Sequence, residues 1–145
     1  MRTIIQRVIK GQVTINGRAV ASIGRGFVIL LGVEKTDNQE KADAMAKKIS
    51  NLRVFSDDAG KMNLSILDIN GKAIVVSQFT LMADTSKGNR PSFIDAAPPE
   101  MASPLVDSFI ETLKKLGIET QSGVFGAEML VEIHNDGPVT ILLDF

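Results

Sequence analysis

The sequence predicts a small α/β domain in which several β-strands accompany two α-helices. Short apolar runs rich in β-branched residues recur along the chain, and such runs are typical of buried strands. Only two segments place apolar residues at the three- and four-residue spacing of an amphipathic helix. The length of 145 residues is that of one ordinary domain with its own hydrophobic core, so we expect a single domain spanning residues 1–145.

The first quarter of the chain is rich in predicted strands. Residues 3–9 form the first of them and carry Arg7. Residues 13–21 predict a hairpin, because the Asn16-Gly17 pair supplies the positive φ angles of a type I′ turn. The continuous apolar run 27–31 predicts a strand that is buried on both faces, as at the centre of a sheet.

Residues 37–53 predict the first helix. Asp37 is the expected N-cap, and Glu40 stands three residues later, as in a capping box. Asp43 and Lys47 lie four residues apart on the opposite face, which predicts a solvent-exposed ion pair. The face expected to meet the core consists of Ala42, Met45, Ala46, Ile49 and Leu52.

Residues 98–116 predict the second helix, which ends where Gly117 provides a favourable C′ residue. Pro104 must lie in its early turns, where a missing N–H group costs little. The stripe expected to be buried consists of Met101, Leu105, Phe109, Leu113 and Leu116. Three closing strands are predicted at residues 118–121, 129–134 and 139–145.

Composition narrows the classes of function. With 16 basic and 17 acidic side chains, the chain lacks the basic excess that sequence-independent binding of long DNA or RNA requires. It has no cysteine, which excludes disulfides, thiolate nucleophiles and cysteine-bound metals. No apolar run reaches the length of a membrane span, and strand-like sequence begins at once at the N-terminus. We therefore expect a cytoplasmic protein that binds neither DNA nor membranes.

A candidate site follows the apolar run 73–76, which predicts a buried strand. Residues 77–81 (Ser-Gln-Phe-Thr-Leu) stand at its end, where backbone N–H groups lose their ladder partners while the surrounding packing still fixes their direction. Fixed, unpaired donors stabilise a developing oxyanion. Together with residues 135–140 (Asn-Asp-Gly-Pro-Val-Thr), this stretch is our candidate for an ester-cleaving site.

A serine-type mechanism is the alternative that the residues themselves offer. Ser77 and Thr80 are the candidate nucleophiles, and His134 is the only imidazole in the chain. With Asp136 these side chains would form a nominal triad, but no spacing indicates that they meet. Neither hydroxyl lies in a Gly-x-Ser-x-Gly elbow, so we expect His134 to be a partly exposed strand residue.

Three polar stretches admit both a structural and a functional interpretation. The Asp57-Asp58 pair lies in a predicted surface turn, and no further ligands follow at calcium-loop spacing, so we expect no metal there. Residues 83–93 form either a mobile surface loop or a flap beside the site, on which Lys87 and Arg90 would contact phosphate. For Gly137-Pro138 a plain turn is the default, because only about one X-Pro bond in twenty is cis.

Residues 77–81 and 135–140 together resemble the signature pair of the D-aminoacyl-tRNA deacylases. The likeness extends in order along essentially the whole chain and shows no departure at the signature residues. The other matching stretches are residues 6–8, 26–34, 55–57, 60–63, 90–93, 125–127 and Met129. The fold of that family, a small α/β domain of packed, largely antiparallel β-sheets with two α-helices, agrees with the predicted elements.

The resemblance implies a homodimeric hydrolase of the ester between a D-amino acid and the terminal adenosine of tRNA, with no metal or organic cofactor. Gly137 and Pro138 of one subunit, joined by a cis bond, would enter the other subunit's pocket as a chirality gate, and Arg7 would hold that gate. Because main-chain atoms cannot retract, such a gate would reject an L side chain sterically and admit its mirror image. Glycine has no side chain to reject, so we expect glycyl-tRNA to be deacylated too.

The resemblance also implies which residues form the pocket. The expected lining is Ser77, Gln78, Phe79, Thr80, Ala102, Phe125 and Met129. Backbone N–H groups of Phe79 and Thr80 would bind the oxyanion, and the adenosine 2′-hydroxyl would assist the attack of water, so Thr80→Ala is expected to keep most activity. Lys87 and Arg90 would contact the acceptor end of the tRNA, and binding would weaken with salt along a shallow slope.

Two other classes of function stay open from the sequence. One is a serine- or threonine-type esterase for small molecules, which would need His134. The other is a module that binds an RNA end without catalysis and would leave the ester of a charged tRNA intact. A deacylation assay separates all three.

Overall fold

A mixed six-stranded sheet forms the frame of the molecule, and two helices pack on one of its faces. The computed structural model describes residues 1–145. In chain order the elements are β1 (Arg2–Ile15), β2 (Arg18–Ile23), β3 (Gly26–Gly32), α1 (Gln39–Ser50), β4 (Phe55–Ser56), β5 (Met62–Leu64), β6 (Lys72–Ser77), a 3-10 turn (Phe79–Met82), α2 (Pro99–Lys115), β7 (Glu119–Ser122) and β8 (Leu130–Asp144). The predicted α/β class with two helices is confirmed.

The main sheet has the strand order β2-β1-β3-β6-β7, and β8 pairs with β1 outside this path. β1 pairs antiparallel with β2, β3 and β8, whereas β3–β6 and β6–β7 are parallel. β4 and β5 form a separate antiparallel pair. The sheets are thus largely antiparallel, as expected. The parallel part arises because long crossovers containing α1 and α2 lead into β6 and β7.

Two apolar cores lie on opposite faces of β3 and β6. On the helix side, Phe27 and Val75 pack with buried residues of α1 and α2. On the other side, Val28 and Ile74 pack with residues of the second half of β1, of β2 and of the start of β8. Because successive side chains of a strand point to opposite faces, the apolar run 27–31 is continuous where both faces are covered.

Two pairs of predicted strands are each one long strand. β1 contains both the predicted first strand and the first arm of the hairpin, and β8 contains both of the last two predicted strands. Their pairing runs from Arg2 opposite Asp144 to Thr14 opposite Leu130. The prediction of separate strands was wrong. β8 continues past Gly137-Pro138 because it pairs with β1, which is distant along the chain, on both sides of these two residues.

Helix α1 begins at Gln39, and its N-cap is Asn38. The Asn38 side chain accepts a hydrogen bond from the backbone N–H of Lys41 at 3.0 Å. This is the contact that the predicted capping box assigned to Asp37. That assignment was wrong, since the Asp37 side chain turns into the protein, where its residue is 4% exposed.

Helix α2 lies within the predicted bounds, but its buried face is rotated from the predicted stripe. Its buried residues are Ala102, Val106, Phe109, Ile110 and Leu113. Met101, Leu105 and Leu116 are only partly buried against the core.

The predicted ion pair between Asp43 and Lys47 of α1 was wrong. Asp43 instead accepts a hydrogen bond from the Thr112 hydroxyl of α2 at 2.7 Å and makes no ion pair with Lys47. Neither helix combines the length and the apolarity needed to cross a lipid bilayer.

Candidate active site

A cavity of about 630 Å³ opens where the parallel strand β6 ends. Its walls come from the β6 end, the beginning of the 3-10 turn, the start of α2 and the segment that leads into β8. None of its lining side chains is ionisable, and most are apolar. The lining residues are Val33, Val76, Ser77, Gln78, Phe79, Phe93, Ala96, Ala97, Pro99, Ala102, Phe125, Gly126, Ala127, Met129 and Val131. A cavity of this size and apolarity is typical of a small-molecule site.

The backbone at the end of β6 is fixed from two sides. The Gln78 N–H group donates to the Leu31 carbonyl oxygen at 2.8 Å and so extends the ladder beyond the strand. Gly32 lies directly under the 3-10 turn, and a Cβ atom there would stand 3.1 Å from the Gln78 carbonyl oxygen. Because position 32 carries no side chain, the turn packs directly onto the end of β3.

The first two N–H groups of the 3-10 turn have no acceptor within the turn. In a 3-10 turn each N–H donates to the carbonyl three residues earlier, and for Phe79 and Thr80 that carbonyl would belong to a residue before the turn. Neither N–H group donates to a backbone oxygen in the turns and loops. The first hydrogen bond of the turn is the one from the Leu81 N–H to the Gln78 carbonyl oxygen. Two adjacent donors without an acceptor in the turn therefore stand at its beginning, where Phe79 lines the cavity.

The side chains around these donors are polar on one side and aromatic on the other. The Gln78 amide donates to the Thr80 hydroxyl, which lies outside the cavity lining. Phe79 lines the cavity and is 55% exposed. Its ring meets the ring of Phe93 edge to face, with 5.1 Å between the centroids. The mouth of the cavity thus presents a partly uncovered aromatic pair.

A second feature interrupts the pairing of β8 with β1. Gln6 pairs with Thr140 and Val8 pairs with Asn135, so the four residues 136–139 face one residue of β1. The Gly137–Pro138 peptide bond within this bulge is cis, and both residues are exposed. Neither of them lines the cavity of its own chain.

Arg7 is the residue that the bulge faces, and it is 8% exposed. Its Nε donates to the backbone oxygen of Asp136 at 3.1 Å and lies 3.2 Å from that residue's carboxylate. Its Nη1 donates to the carbonyl oxygen of Val54 at 2.5 Å. A Cβ atom on Gly137, whose φ is +123°, would stand 2.8 Å from Nη2 of Arg7. The guanidinium therefore ties the base of the bulge to the protein interior.

The polar segment that follows the 3-10 turn is a closed loop. Asp84 and Ser92 exchange two backbone hydrogen bonds of 2.8 Å, and Lys87 and Arg90 lie exposed between them. The backbone N–H of Ser86 donates to the Asp84 carboxyl group and holds its pKa below the ordinary value. Both cations are free of ion pairs and stand on a loop that joins the aromatic mouth of the cavity.

The components of the nominal triad are not assembled. His134 is exposed, makes no side-chain hydrogen bond and lies outside the cavity lining, while Asp136 is bound to Arg7. The predicted surface turn at Asp57 is likewise closed by its own contacts. The side chain of Asn63 donates to the Asp57 carboxylate at 2.6 Å, and this is the main reason why the pKa of that carboxyl group lies below its ordinary value.

Comparison with known proteins decides the family. A sequence model of the family described as D-Tyr-tRNA(Tyr) deacylase matches residues 4–144. This chain belongs to that deacylase family. A protein named D-aminoacyl-tRNA deacylase from Roseiflexus castenholzii is 58% identical over 144 residues, which are 99% of this chain and 92% of the relative. A protein of the same name from Thermomicrobium roseum is 56% identical, with coverage of 99% and 94%.

The fold of the deacylase family recurs in a solved structure named c-Myc DNA Unwinding Element Binding Protein. It superposes with a TM-score of 0.95 at 43% identity and covers 100% of this chain and 99% of that one. The membership expected from residues 77–81 and 135–140 is thus confirmed, together with the hydrolase class and the fold.

The expected site residues of this deacylase family member lie in three places. Six of them lie together in the cavity wall: Ser77, Gln78, Phe79, Ala102, Phe125 and Met129. Thr80 stands beside the cavity, and the Arg7–Gly137–Pro138 group lies on β8 and β1. Sequence reasoning missed Phe93, Ala96 and Pro99, which also line the cavity. The signal that was available for them is the apolar stretch between the polar loop and α2, since apolar side chains with no regular spacing often line a pocket.

Proposed function

We propose that this chain removes D-amino acids from tRNA by hydrolysing the ester that joins them to the terminal adenosine. One observation supports this most strongly: the backbone N–H groups of Phe79 and Thr80 have no acceptor within their turn, which begins in the wall of an apolar cavity that contains no ionisable side chain. Such a site suits a reaction in which negative charge develops on an oxygen and no protein side chain has to change its charge.

The chemistry follows from what the cavity offers. Water attacks the ester carbonyl carbon, and the N–H groups of Phe79 and Thr80 hold the negative oxygen of the tetrahedral intermediate. The carbon–oxygen bond to the ribose then breaks, and the ribose oxygen takes up a proton as tRNA and the free D-amino acid separate. Because the wall supplies no base, we assign assistance of the attacking water to the neighbouring ribose hydroxyl of the substrate.

The position of Gly137 and Pro138 supports a homodimer with crossed sites. Both residues are exposed on their own chain and lie outside its cavity, so a role in substrate selection requires the cavity of a second copy. Exposed apolar side chains also follow or precede the lining residues Phe93 and Phe125 in the chain, namely Ile94 at 74% and Val124 at 51% exposure. A partner subunit that covers this surface would bury it and deliver the bulge.

Selection by the bulge is selection by exclusion. A main-chain wall held by Arg7 has no side chain that could move aside, so it excludes the substituent of an L-amino acid and leaves the mirror-image position free. It does not contact a D side chain, and hydrolysis of many D-aminoacyl esters follows. Glycyl-tRNA is expected to be a substrate for the same reason.

The tRNA is held locally in this proposal. Lys87 and Arg90 stand on the loop beside the cavity mouth without acidic partners, where they would bind phosphates of the acceptor end. A net charge of −1 favours contact with one end of an RNA over binding along a duplex, and we propose no DNA partner. Since charged tRNA is a cytoplasmic substrate, we place the protein in the cytoplasm.

A pair of substitutions at position 79 tests the oxyanion donors. Phe79→Ala removes the ring and keeps the N–H group, whereas Phe79→Pro removes both. Proline suits the first position of the turn, because the preceding Gln78 lies outside the α region, at φ −140° and ψ 76°. We expect kcat on a D-aminoacyl-tRNA to fall about 100-fold further for Phe79→Pro than for Phe79→Ala, as for the loss of one oxyanion donor.

The competing functions give different results in the same assay. Equal rates for the two Phe79 variants, with both folded, would rule out this N–H group as a donor. A small-molecule esterase would lose activity on His134→Ala, which our proposal expects to be as active as the wild type. A binding module without catalysis would retain the charged tRNA and leave its ester intact.

A further inference from the structure

We propose that the side chains of Gln6, Asn135 and Thr140 form a clamp that fixes the bulge 136–139 and thereby sets the stereoselectivity of the site. The inference rests on the proposed function, because it concerns the selection step of that reaction. The three residues are positioning residues, since none of them lines the cavity.

The bulge interrupts the backbone hydrogen bonds between β1 and β8. The regular pairs on its two sides are Gln6 with Thr140 and Val8 with Asn135. Between them, four residues of β8 face one residue of β1, so the bulged N–H groups lack their usual partners on the neighbouring strand. Without other contacts this segment would be free to change its conformation.

The Asn135 side chain supplies the missing partner. Its Oδ1 accepts a hydrogen bond from the backbone N–H of Val139 at 2.8 Å, which spans the bulge from its first flank to its last residue. The other end of the same amide, Nδ2, donates to Oε1 of Gln6 and to Oγ1 of Thr140, the latter at 3.2 Å. One side chain therefore closes the bulge and anchors it to the adjacent strand.

Thr140 completes a closed ring of three side chains. Its hydroxyl accepts from Asn135 and donates to Oε1 of Gln6 at 2.5 Å. Each member contacts both of the others, so the orientation of the Asn135 amide is determined twice. A doubly determined amide is a rigid support, whereas a single hydrogen bond would leave it free to rotate.

The ring and Arg7 hold the bulge from opposite sides. Gln6 and Arg7 are neighbours on β1, so their side chains point to opposite faces of the strand. Arg7 holds the carbonyl of Asp136 from the interior, and the ring holds the N–H of Val139 from the more exposed face. The two exposed residues between these anchors, Gly137 and Pro138, are fixed by the anchors. A wall that excludes by shape works only if it cannot shift, so loosening either anchor weakens exclusion.

The clean test is a matched pair at position 140. Thr140→Val keeps the shape and removes both hydroxyl contacts, whereas Thr140→Ser keeps the hydroxyl. L-alanyl-tRNA and D-alanyl-tRNA are the substrates, because they differ in handedness and not in size. We expect Thr140→Val to raise the L-to-D ratio of kcat/KM about tenfold, the factor that corresponds to the loss of roughly one hydrogen bond. Thr140→Ser should keep the wild-type ratio.

A second measurement does not depend on activity. In the wild type, the Val139 N–H is expected to be protected from hydrogen exchange, and Asn135→Ala is expected to remove that protection while the amides of β3 stay protected. An unchanged L-to-D ratio in Thr140→Val, or a protected Val139 in folded Asn135→Ala, would overturn the clamp. If the wild type hydrolyses neither substrate, the proposed function fails, and the exchange result still decides whether the clamp exists.

Discussion

At the scale of single residues, Asp37 is the charged group with the most enclosed surroundings. The ammonium group of Met1 lies 2.6 Å from its Oδ1, and both side chains are fully buried. Lys41 approaches the same oxygen at 3.1 Å, and the N–H of Glu34 donates to the other oxygen at 2.7 Å. The Met1 ammonium also donates to the carbonyl of Phe145 at 2.7 Å, so this cluster links the two chain termini to the start of α1.

Removing that charge is expected to destabilise the protein without changing its chemistry. Asp37→Asn leaves a buried ammonium unpaired, which costs about 3 kcal/mol in the free energy of unfolding. For a chain of this length the loss corresponds to a fall in Tm of roughly 10 °C. Glu40→Gln is the matched control, because it makes the same change on an exposed carboxylate and should lower Tm by no more than about 2 °C. Equal Tm values for the two variants would contradict this account of Asp37.

The role of Asp37 could not be predicted from the residues next to it in the chain. We predicted Asp37 as the cap, one residue before the observed cap Asn38, and both residue types are good helix caps. The decision depends on the position of Met1, which comes next to Asp37 only in the folded chain. By contrast, the position of Ser77, Gln78 and Phe79 at the end of a strand could be predicted, because the end of a buried strand is a local feature of the sequence.

At the scale of elements, the 3-10 turn is held at both of its ends. Its beginning is fixed by the Gln78 hydrogen bond to Leu31 and by the close packing on Gly32. At its end, Nη1 of Arg2 donates to the carbonyl oxygen of Leu81 at 2.9 Å. Two further nitrogens of Arg2 donate to the Asp144 carboxylate at 2.6 and 3.0 Å. The turn that carries the proposed oxyanion donors is therefore linked to the first and last strands through one guanidinium.

This contact makes Arg2 a positioning residue in our account. Arg2→Ala releases the end of the turn, and we expect kcat on a D-aminoacyl-tRNA to fall about tenfold while KM stays within about twofold, because misplaced donors affect the transition state more than substrate binding. Arg53→Ala is the control, since Arg53 makes a similar exposed fork, to Asn63, in another part of the molecule. A change in KM alone, or equal effects of the two substitutions, would contradict this role.

Two features of the elements depend on partners elsewhere in the chain and could not be predicted from one stretch of sequence. The β-branched residues of β8 predict strand on both sides of Gly137-Pro138, and this prediction is confirmed. The continuity of β8 could not be predicted, because it depends on a partner strand more than a hundred residues away. The face of α2 was misjudged for a similar reason: where a helix is amphipathic over a broad arc, the neighbouring α1 decides which part of that arc is buried.

At the scale of the whole molecule, the two parts of the proposed mechanism lie apart in one chain. The proposed oxyanion donors follow the end of β6, while the bulge of residues 136–139 projects from β8 and does not line the cavity of its own chain. Family membership and hydrolase class follow from the sequence and its relatives. What our proposal adds is that donors and bulge come from different subunits, so that in this proposal a single chain would leave each site incomplete.

A mixed dimer tests this crossing directly. One chain carries Phe79→Pro, which removes a donor and keeps the bulge, and the other carries Gly137→Ala, which keeps the donors and alters the bulge. If sites are crossed, the chain with intact donors receives the intact bulge of its partner. The measurement is the ratio of D- to L-alanyl-tRNA hydrolysis by the purified mixed dimer. We predict the wild-type ratio, whereas the ratio of the Gly137→Ala homodimer would contradict the account.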